Sequence, residues 1–474
     1  MLSSRSVQFN RVIRWIRWKA IAFPPILVAL GCSTTPRPAT AIAPKSSCAI
    51  VAAAPTPSDT ISVAVTEPID PAHIPTPGNS AERFAFAQAY ETLVNVDCEG
   101  HPYPGLAQSW AMDATRTRVT LVLRDAAQFW NGKPVVASDV LAAWRATAGL
   151  STESNVARRV ADGTTIVDDR TFTVSLADTA WLVLADPALA VYQPQPGQAW
   201  AEGSGRYHVV DATVGAEPLT LAPASTTSGP NLTIRTRRSA DPRDAIDAGA
   251  DLLVTDDPVA VSYAATRSNL TAIPLPWTRT YALAVPSSAP TGATAMLPLA
   301  RGLDTLTASL ARDAVHAEAR AAQAPYWWVG IPGCESLSRG SAGALPAGAR
   351  RSSRIVYRRD DRVARGLAER LVALGRGATA TGLAPGDFAR ALHAGAELAY
   401  VLDLGRASLS PCQDLAVLES AARWLAGGPG EGIATATLLP LIDTRARAIV
   451  NRDHVSAMID WDGTLRIGGP SRRP

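Results

Sequence analysis

A run of local structural signals between residues 90 and 144 constrains the fold more than any other part of the chain. It reads YETLVNVDCEGHPYPGLAQSW and, after a short gap, RVTLVLRDAAQFWNGKPVVASDVLAAW. Alternating apolar residues over 118–123 predict a half-buried strand, and Asn131-Gly132 is typical of a tight turn. Ser138 then predicts the start of a helix whose buried face carries Val140, Leu141 and Trp144.

The same run resembles the lobe I signature of family 5 extracellular solute-binding proteins, the peptide- and nickel-binding components of ABC importers. That family shows YExLv, PgLAxSW, LRxxxxF and dGxPvtAxDV in this order, and each motif has a counterpart here in register. The resemblance implies an α/β, two-lobed periplasmic-binding-protein-like (type II) fold with crossing hinge strands. It covers most of residues 60–467, with a shorter and more divergent stretch at 286–350.

The amino terminus has the composition of an export signal. Basic residues between 5 and 19 precede an apolar run at 20–31, which is too short to span a bilayer comfortably. The run ends Ala29-Leu30-Gly31-Cys32, which resembles a bacterial lipobox. We therefore expect residues 1–32 to be a lipoprotein signal peptide, with Cys32 as the lipidated residue. The alternative is an uncleaved signal anchor with an incidental cysteine.

The next segment, 33–59, is rich in Pro, Ala, Ser and Thr and lacks helical periodicity, as expected for a tether. The rest of the chain is too long for one ordinary core, so two lobes are expected. We assign 60–282 to lobe I, 283–436 to lobe II, and 437–474 to a segment that returns to lobe I.

Strand and helix signals in the later half support this division. Arg354–Arg358 is a predicted strand, and Asp360 is expected to cap the helix that follows. A second helix is predicted over 385–393. Thr280–Val285 resembles the crossing strand between the lobes of the family, and Leu438–Ile442 resembles the returning strand.

The cysteines fit an exported protein. With Cys32 assigned to lipid, four remain, and four cysteines allow three disulfide connectivities. We favour Cys48 with Cys98 in the earlier part and Cys334 with Cys412 in the later lobe. No pair has C-x-x-C spacing, so a zinc or redox motif is not expected.

Composition and motifs argue against catalysis and nucleic-acid binding. Acidic residues are interleaved with basic ones at a net charge of +3, and no basic face stands out. There is no G-x-S-x-G, H-E-x-x-H, Walker lysine loop or G-x-G-x-x-G after a strand, and no two histidines have i, i+4 spacing. We expect no enzyme activity, no cofactor and no metal site.

The resemblance suggests where a ligand would be held. In dipeptide-binding relatives a lobe II Arg before the equivalent helix holds the peptide carboxylate, and Arg358 occupies that place; the alternative is a solvated Arg at a strand end. The segment that supplies a Trp and an Asp for the peptide ammonium has lost the Trp and its central acid here. Asp403 or Asp414 is expected to substitute.

Aromatic residues provide weaker candidates for the walls of a cleft. Trp277 precedes the crossing strand and is favoured over Trp327, which lies in a Tyr-Trp-Trp run; core packing is the alternative for both.

Three functions are compatible with the sequence. The first is a substrate-binding lipoprotein of an ABC importer, exported and anchored by lipid to the bacterial envelope. It would bind a peptide or related small solute between the lobes and deliver it to permease subunits. The second is a transport-incompetent relative that acts as a ligand sensor or partner-docking envelope protein. The third, an exported hydrolase, lacks a recognisable nucleophile.

Overall fold

The computed structural model describes residues 46–53, 59–115, 117–150, 155–175, 181–210, 215, 217–224, 229–237, 241–285, 309, 318–322, 354–374, 379–394, 398–405 and 437–468. None of the helices in these ranges combines the length and apolar content needed to cross a bilayer.

The described helices and strands are numbered here in chain order. The α-helices are α1 Ser80–Ala89, α2 Ala137–Leu150, α3 Asn155–Asp162, α4 Pro242–Asp247, α5 Pro258–Ala264, α6 Arg362–Leu374 and α7 Pro385–Ala394. The strands are β1 Ala49–Ile50, β2 Thr60–Val65, β3 Val94–Val96, β4 Pro102–Pro104, β5 Ala107–Met112, β6 Arg118–Leu123, β7 Thr164–Ile166, β8 Thr171–Ser175, β9 Tyr192–Gln193, β10 Glu202–Gly203, β11 Tyr207–Val209, β12 Leu219–Pro223, β13 Asn231–Thr236, β14 Leu252–Thr255, β15 Leu270–Pro274, β16 Arg279–Val285, β17 Glu318–Ala321, β18 Arg354–Arg358, β19 Thr379–Leu383, β20 Leu398–Gly405, β21 Thr437–Arg445, β22 Arg447–Asn451, β23 Ala457–Ile459 and β24 Leu465–Ile467.

Lobe I is built on a seven-stranded sheet in the order β11-β12-β13-β2-β14-β22-β15. Its three central strands, β13, β2 and β14, run parallel. The chain passes from β13 through α4 to β14, on the other side of β2. Gly249 follows α4 at a φ of 81°, a left-handed conformation that favours glycine and ends the helix. All three carboxyl ends therefore lie at one edge of the sheet.

A four-stranded antiparallel sheet, β5-β6-β8-β7, belongs to the same lobe and contains the strand predicted at 118–123. Helix α2 packs on it and buries Val140, Leu141 and Trp144, as expected. The predicted start of this helix is wrong, since α2 begins at Ala137. Ser138 lies inside the first turn. The Asp139 carboxylate, not a Ser138 hydroxyl, accepts a bond at this helix start, from the Val136 N–H at 3.0 Å.

A part-buried set of hydrogen bonds from Arg124 joins three pieces of the signature run. The Arg124 guanidinium makes a two-pronged bond to the Glu91 carboxylate, with N–O distances of 3.1 and 2.6 Å, and donates to the Gly105 carbonyl at 2.7 Å. Glu91 raises the pKa of Arg124 further. A Cβ on Gly105 would stand 2.3 Å from the Thr92 carbonyl oxygen. The YE, PG and LR pieces of the signature are thus held at one point.

Lobe II is built on a six-stranded sheet in the order β17-β21-β16-β20-β18-β19. Strands β19, β18 and β20 run parallel, and β16 runs antiparallel to β20. Helix α6 packs its apolar stripe on this sheet, where Leu367 and Leu371 are fully buried beside Tyr281 and Ile355. The buried residues form a cluster separate from the main core of lobe I.

Two neighbouring strands carry the chain between the lobes. The sheet of lobe I ends at β15, the chain enters the second sheet through β16, and it returns from β21 to β22. Strands β16 and β21 are paired along their whole length from Arg279–Thr444 to Val285–Thr437. By strand pairing the crossings fall at 274–279 and 445–447; the lobe boundaries at 282 and 436 stay predictions.

One predicted disulfide is present. Cys48 and Cys98 are bonded with a Cα–Cα distance of 5.5 Å. The bond links the segment before β1 to the hairpin loop after β3, while β1 pairs with β23 near the carboxyl terminus. Cys32, Cys334 and Cys412, like the signal and tether segments up to residue 45, lie outside the described residues.

Candidate functional site

The carboxyl ends of parallel strands from both sheets meet at the junction of the lobes. On lobe I these are the ends of β13, β2 and β14, followed by Arg237, Thr66 and Asp256. On lobe II they are the ends of β18, β19 and β20, and β16 begins at the same edge because it is antiparallel to β20. Ligands of open α/β sheets bind outside such carboxyl ends.

Strand alternation places three chemically active side chains on one face of the lobe II sheet. Arg279 and Tyr281 are two residues apart on β16, and Tyr281 lies directly opposite Asp403 on β20. The Arg279 Nε lies 3.3 Å from the Asp403 Oδ1. Tyr281 is buried, and its hydroxyl donates to the Asp361 carboxylate at 3.1 Å. Burial, and next the Asp403 charge, raise the pKa of Tyr281.

The loop between β18 and α6 supplies further charges to this edge. Arg358, at the end of β18, donates to Asp360 through Nη2 at 2.6 Å, and this bond raises the pKa of Arg358 and lowers that of Asp360. The helix cap was predicted one residue too early. Asp361 caps α6 by accepting from the Ala364 N–H at 2.9 Å.

Lobe I presents acidic groups to the same region. Asp256 and Asp257 follow β14, and the Asp257 carboxylate caps α5 through the Val259 N–H at 2.8 Å. Asp257 also lies 3.8 Å from the Arg362 guanidinium at the start of α6, which is a contact from one lobe to the other. The charge of Asp256 raises the pKa of both Arg279 and Asp403, so the two edges face one another.

Among these carboxyls, Asp403 has a clearly raised pKa. About a quarter of the Asp403 side-chain surface is accessible to solvent. Burial raises the pKa of Asp403 to about 6, against the opposing effect of Arg279, and the charges of Asp361 and Asp256 raise it further. A carboxyl whose charged form is disfavoured by burial gains from a cation or a hydrogen-bond donor as its neighbour.

Trp277 lies in the crossing segment between β15 and β16. The guanidinium carbons of Arg320 and Arg445 each lie 4.5 Å from the centroid of the Trp277 ring, as in cation–π contacts. Arg320 in turn bonds to Asp443, which also accepts from the Thr280 hydroxyl at 2.8 Å. These contacts make Trp277 part of the hinge. Its predicted role as a cleft wall stays a prediction.

The structure thus brings Arg358 and Asp403 together, since the charge of Arg358 acts on the Asp403 carboxyl. Asp414 and Trp327 lie outside the described residues. Sequence reasoning missed Arg279, Asp361 and Asp256, which take part in the same cluster. The signal for Arg279 was its position on β16, two residues before Tyr281. Tyr281 pairs with Asp403 on the neighbouring strand.

Comparisons with known proteins find the expected family over part of the chain. Residues 101–230 match the family model described as bacterial extracellular solute-binding proteins, family 5 middle. The chain is 30% identical over 89 residues to the probable peptide ABC transporter periplasmic-binding protein y4tO of Sinorhizobium fredii (strain NBRC 101917 / NGR234). That match spans 19% of this chain and 17% of the relative.

Solved structures extend the likeness in fold. NikA from Brucella suis in complex with Fe(III)-EDTA matches with a TM-score of 0.58 at 17% identity, over 82% of this chain and 95% of that one. Listeria monocytogenes OppA bound to peptide matches with a TM-score of 0.60 at 12% identity, over 87% and 98%.

The match over residues 101–230 supports the family predicted from the sequence. The predicted fold class is confirmed by the same structures. Proteins of family 5 are transport binding proteins, not enzymes.

The pKa of Asp403 gives this protein a testable pH dependence. Because the folded-state pKa of about 6 lies above the unfolded value, the folded form binds the proton more tightly between roughly pH 4 and 6. Wild type therefore loses stability relative to Asp403→Asn as pH rises through this window. The difference in free energy of unfolding, measured by urea titration, should grow by about 2 kcal/mol between pH 4.5 and 7.

Asp360→Asn is the matched control, because Arg358 lowers the pKa of Asp360 and moves its titration below this window. Parallel stability profiles of wild type and Asp403→Asn from pH 4.5 to 7 would contradict the proposed environment of Asp403.

Proposed function

We propose that this protein is the substrate-binding component of an ABC importer and binds a peptide or related small solute between its lobes. The observation that carries the proposal is the facing of two sheet edges that carry charged groups of both signs. A peptide has an ammonium and a carboxylate, and such an edge pair provides acidic and guanidinium partners for both. The named relative y4tO, a peptide transporter component, and the peptide-bound OppA support this ligand class.

Within this proposal, Arg358 receives the peptide carboxylate. Its bond to Asp360 joins two half-exposed side chains, and exposed ion pairs contribute little to stability. Exchange of Asp360 for a ligand carboxylate therefore costs little, and the planar guanidinium can donate two parallel bonds to it. Asp403 and Asp256 are placed to receive the ammonium from opposite lobes.

Closure of the lobes follows from the same geometry. A solute that contacts both edges binds the closed form more tightly than the open form and so shifts the protein toward closure. The closed form is then the state that a permease recognises. We propose further that the protein is exported and held at the envelope by lipid on Cys32, with 33–59 as the tether.

A thermal-shift titration with a pool of tripeptides tests the binding function. A ligand at 100 times its Kd stabilises the folded protein by about 2.7 kcal/mol, so wild type should melt at a higher temperature in the pool. Arg358→Gln should need at least about tenfold more peptide for the same shift, because a charge-assisted hydrogen bond is worth about 1.5–3 kcal/mol.

Arg354→Gln is the matched control, since Arg354 is exposed at the opposite end of β18. It should respond to peptide as wild type does. If the pool leaves wild type unchanged while the protein captures another envelope protein, the sensor or docking function replaces the importer function. Consumption of any peptide would instead favour the hydrolase.

Palmitate labelling in a bacterial host tests the anchor. Incorporation should occur in the full chain and be lost in Cys32→Ser; equal labelling of both would contradict lipidation at this residue.

A further inference from the structure

Arg237 lies at the lobe I edge of the site but has no role in the contacts described so far. It follows β13 directly, and its backbone N–H donates to the Val65 carbonyl at the end of β2 at 2.7 Å. The acids after β14, Asp256 and Asp257, act on its charge, so the guanidinium is near the facing edges of the two sheets.

Two donors of this guanidinium are unsatisfied. The Nε and Nη1 atoms of Arg237 are cut off from solvent, and neither finds a hydrogen-bond acceptor among the described residues. Burial lowers the pKa of Arg237, although Asp241, Asp257 and Asp256 raise it through space. Buried charged donors are nearly always paired in native proteins, so an unpaired fork at a ligand-binding edge indicates a partner that comes from outside the chain.

The nearby carboxylates are committed elsewhere. Asp241 caps α4 and binds Arg243, with its Oδ2 2.9 Å from the Arg243 Nε. Asp257 caps α5 and faces Arg362. These acids offset the charge of Arg237 but leave its Nε and Nη1 atoms without a bond among the described residues.

We propose that Arg237 binds a second carboxylate of the solute, which makes acidic peptides the preferred ligands. The inference rests on the proposed function, in which Arg358 on the opposite edge takes the first carboxylate. Arg237 is only half-buried as a residue, and no hydrogen bond holds its Nε or Nη1 inward. Rotation of its outer torsions then presents a planar fork to a side-chain carboxylate.

The test compares Arg237→Met with Arg235→Met. Methionine keeps the bulk of the stem and removes every donor, and Arg235 is an exposed residue two positions earlier on β13. Without peptide, Arg237→Met should melt at the temperature of wild type or higher, because no structural bond is lost. A melting temperature several degrees below that of Arg235→Met would assign Arg237 a structural partner and overturn the inference.

Binding is then measured with two tripeptide pools that have free carboxyl termini. Each peptide of the first pool contains one Glu, and the second pool has Gln in its place. Wild type and Arg235→Met should bind the Glu pool at least about tenfold more tightly, and Arg237→Met should bind both pools equally.

The outcomes separate the two proposals. If both pools bind but wild type shows no preference, or Arg237→Met keeps the preference, only the inference about Arg237 fails. If neither pool stabilises wild type, peptide binding itself fails, and the inference with it.

Discussion

The pairing of β16 with β21 is the constraint on which the rest of the structure depends. These strands carry the chain out of lobe I and back, and they lie side by side in the lobe II sheet. Because both crossings are adjacent, the two sheets are joined at one hinge. Their carboxyl edges, which carry Asp256 on one side and Asp403 on the other, are then held opposite each other. Crossings at separate places would hold the lobes rigidly and leave no hinge.

The charged groups at these edges also lower the stability of the junction when no ligand is bound. Asp403 keeps a raised pKa despite Arg279, and the buried Nε and Nη1 atoms of Arg237 have no acceptor within the described part of the chain. Binding sites commonly retain such unfavourable features because the ligand relieves them. The same groups are therefore proposed to govern both ligand choice and closure of the lobes.

Much of the scaffold could be predicted from the sequence. The signature run is recognisable because Glu91, Gly105 and Arg124 must meet at one point, and few residue types satisfy that geometry. Strand Arg354–Arg358 was predicted with its observed bounds because its apolar residues are bracketed by Arg and Asp. Helix starts were less predictable. Several adjacent polar residues can cap; Asp361 takes this role, while Asp360 pairs with its near neighbour Arg358.

The site itself was only partly predictable. Arg358 and Asp403 were found through the resemblance, whereas Arg279 and Arg237 depend on which strand ends meet across the lobes, a long-range property that local patterns do not encode. The most direct test is small-angle X-ray scattering of the protein without and with a saturating tripeptide pool whose binding is verified by calorimetry. We predict a smaller radius of gyration when the peptide is bound. An unchanged radius with peptide bound would contradict closure of the lobes on a solute.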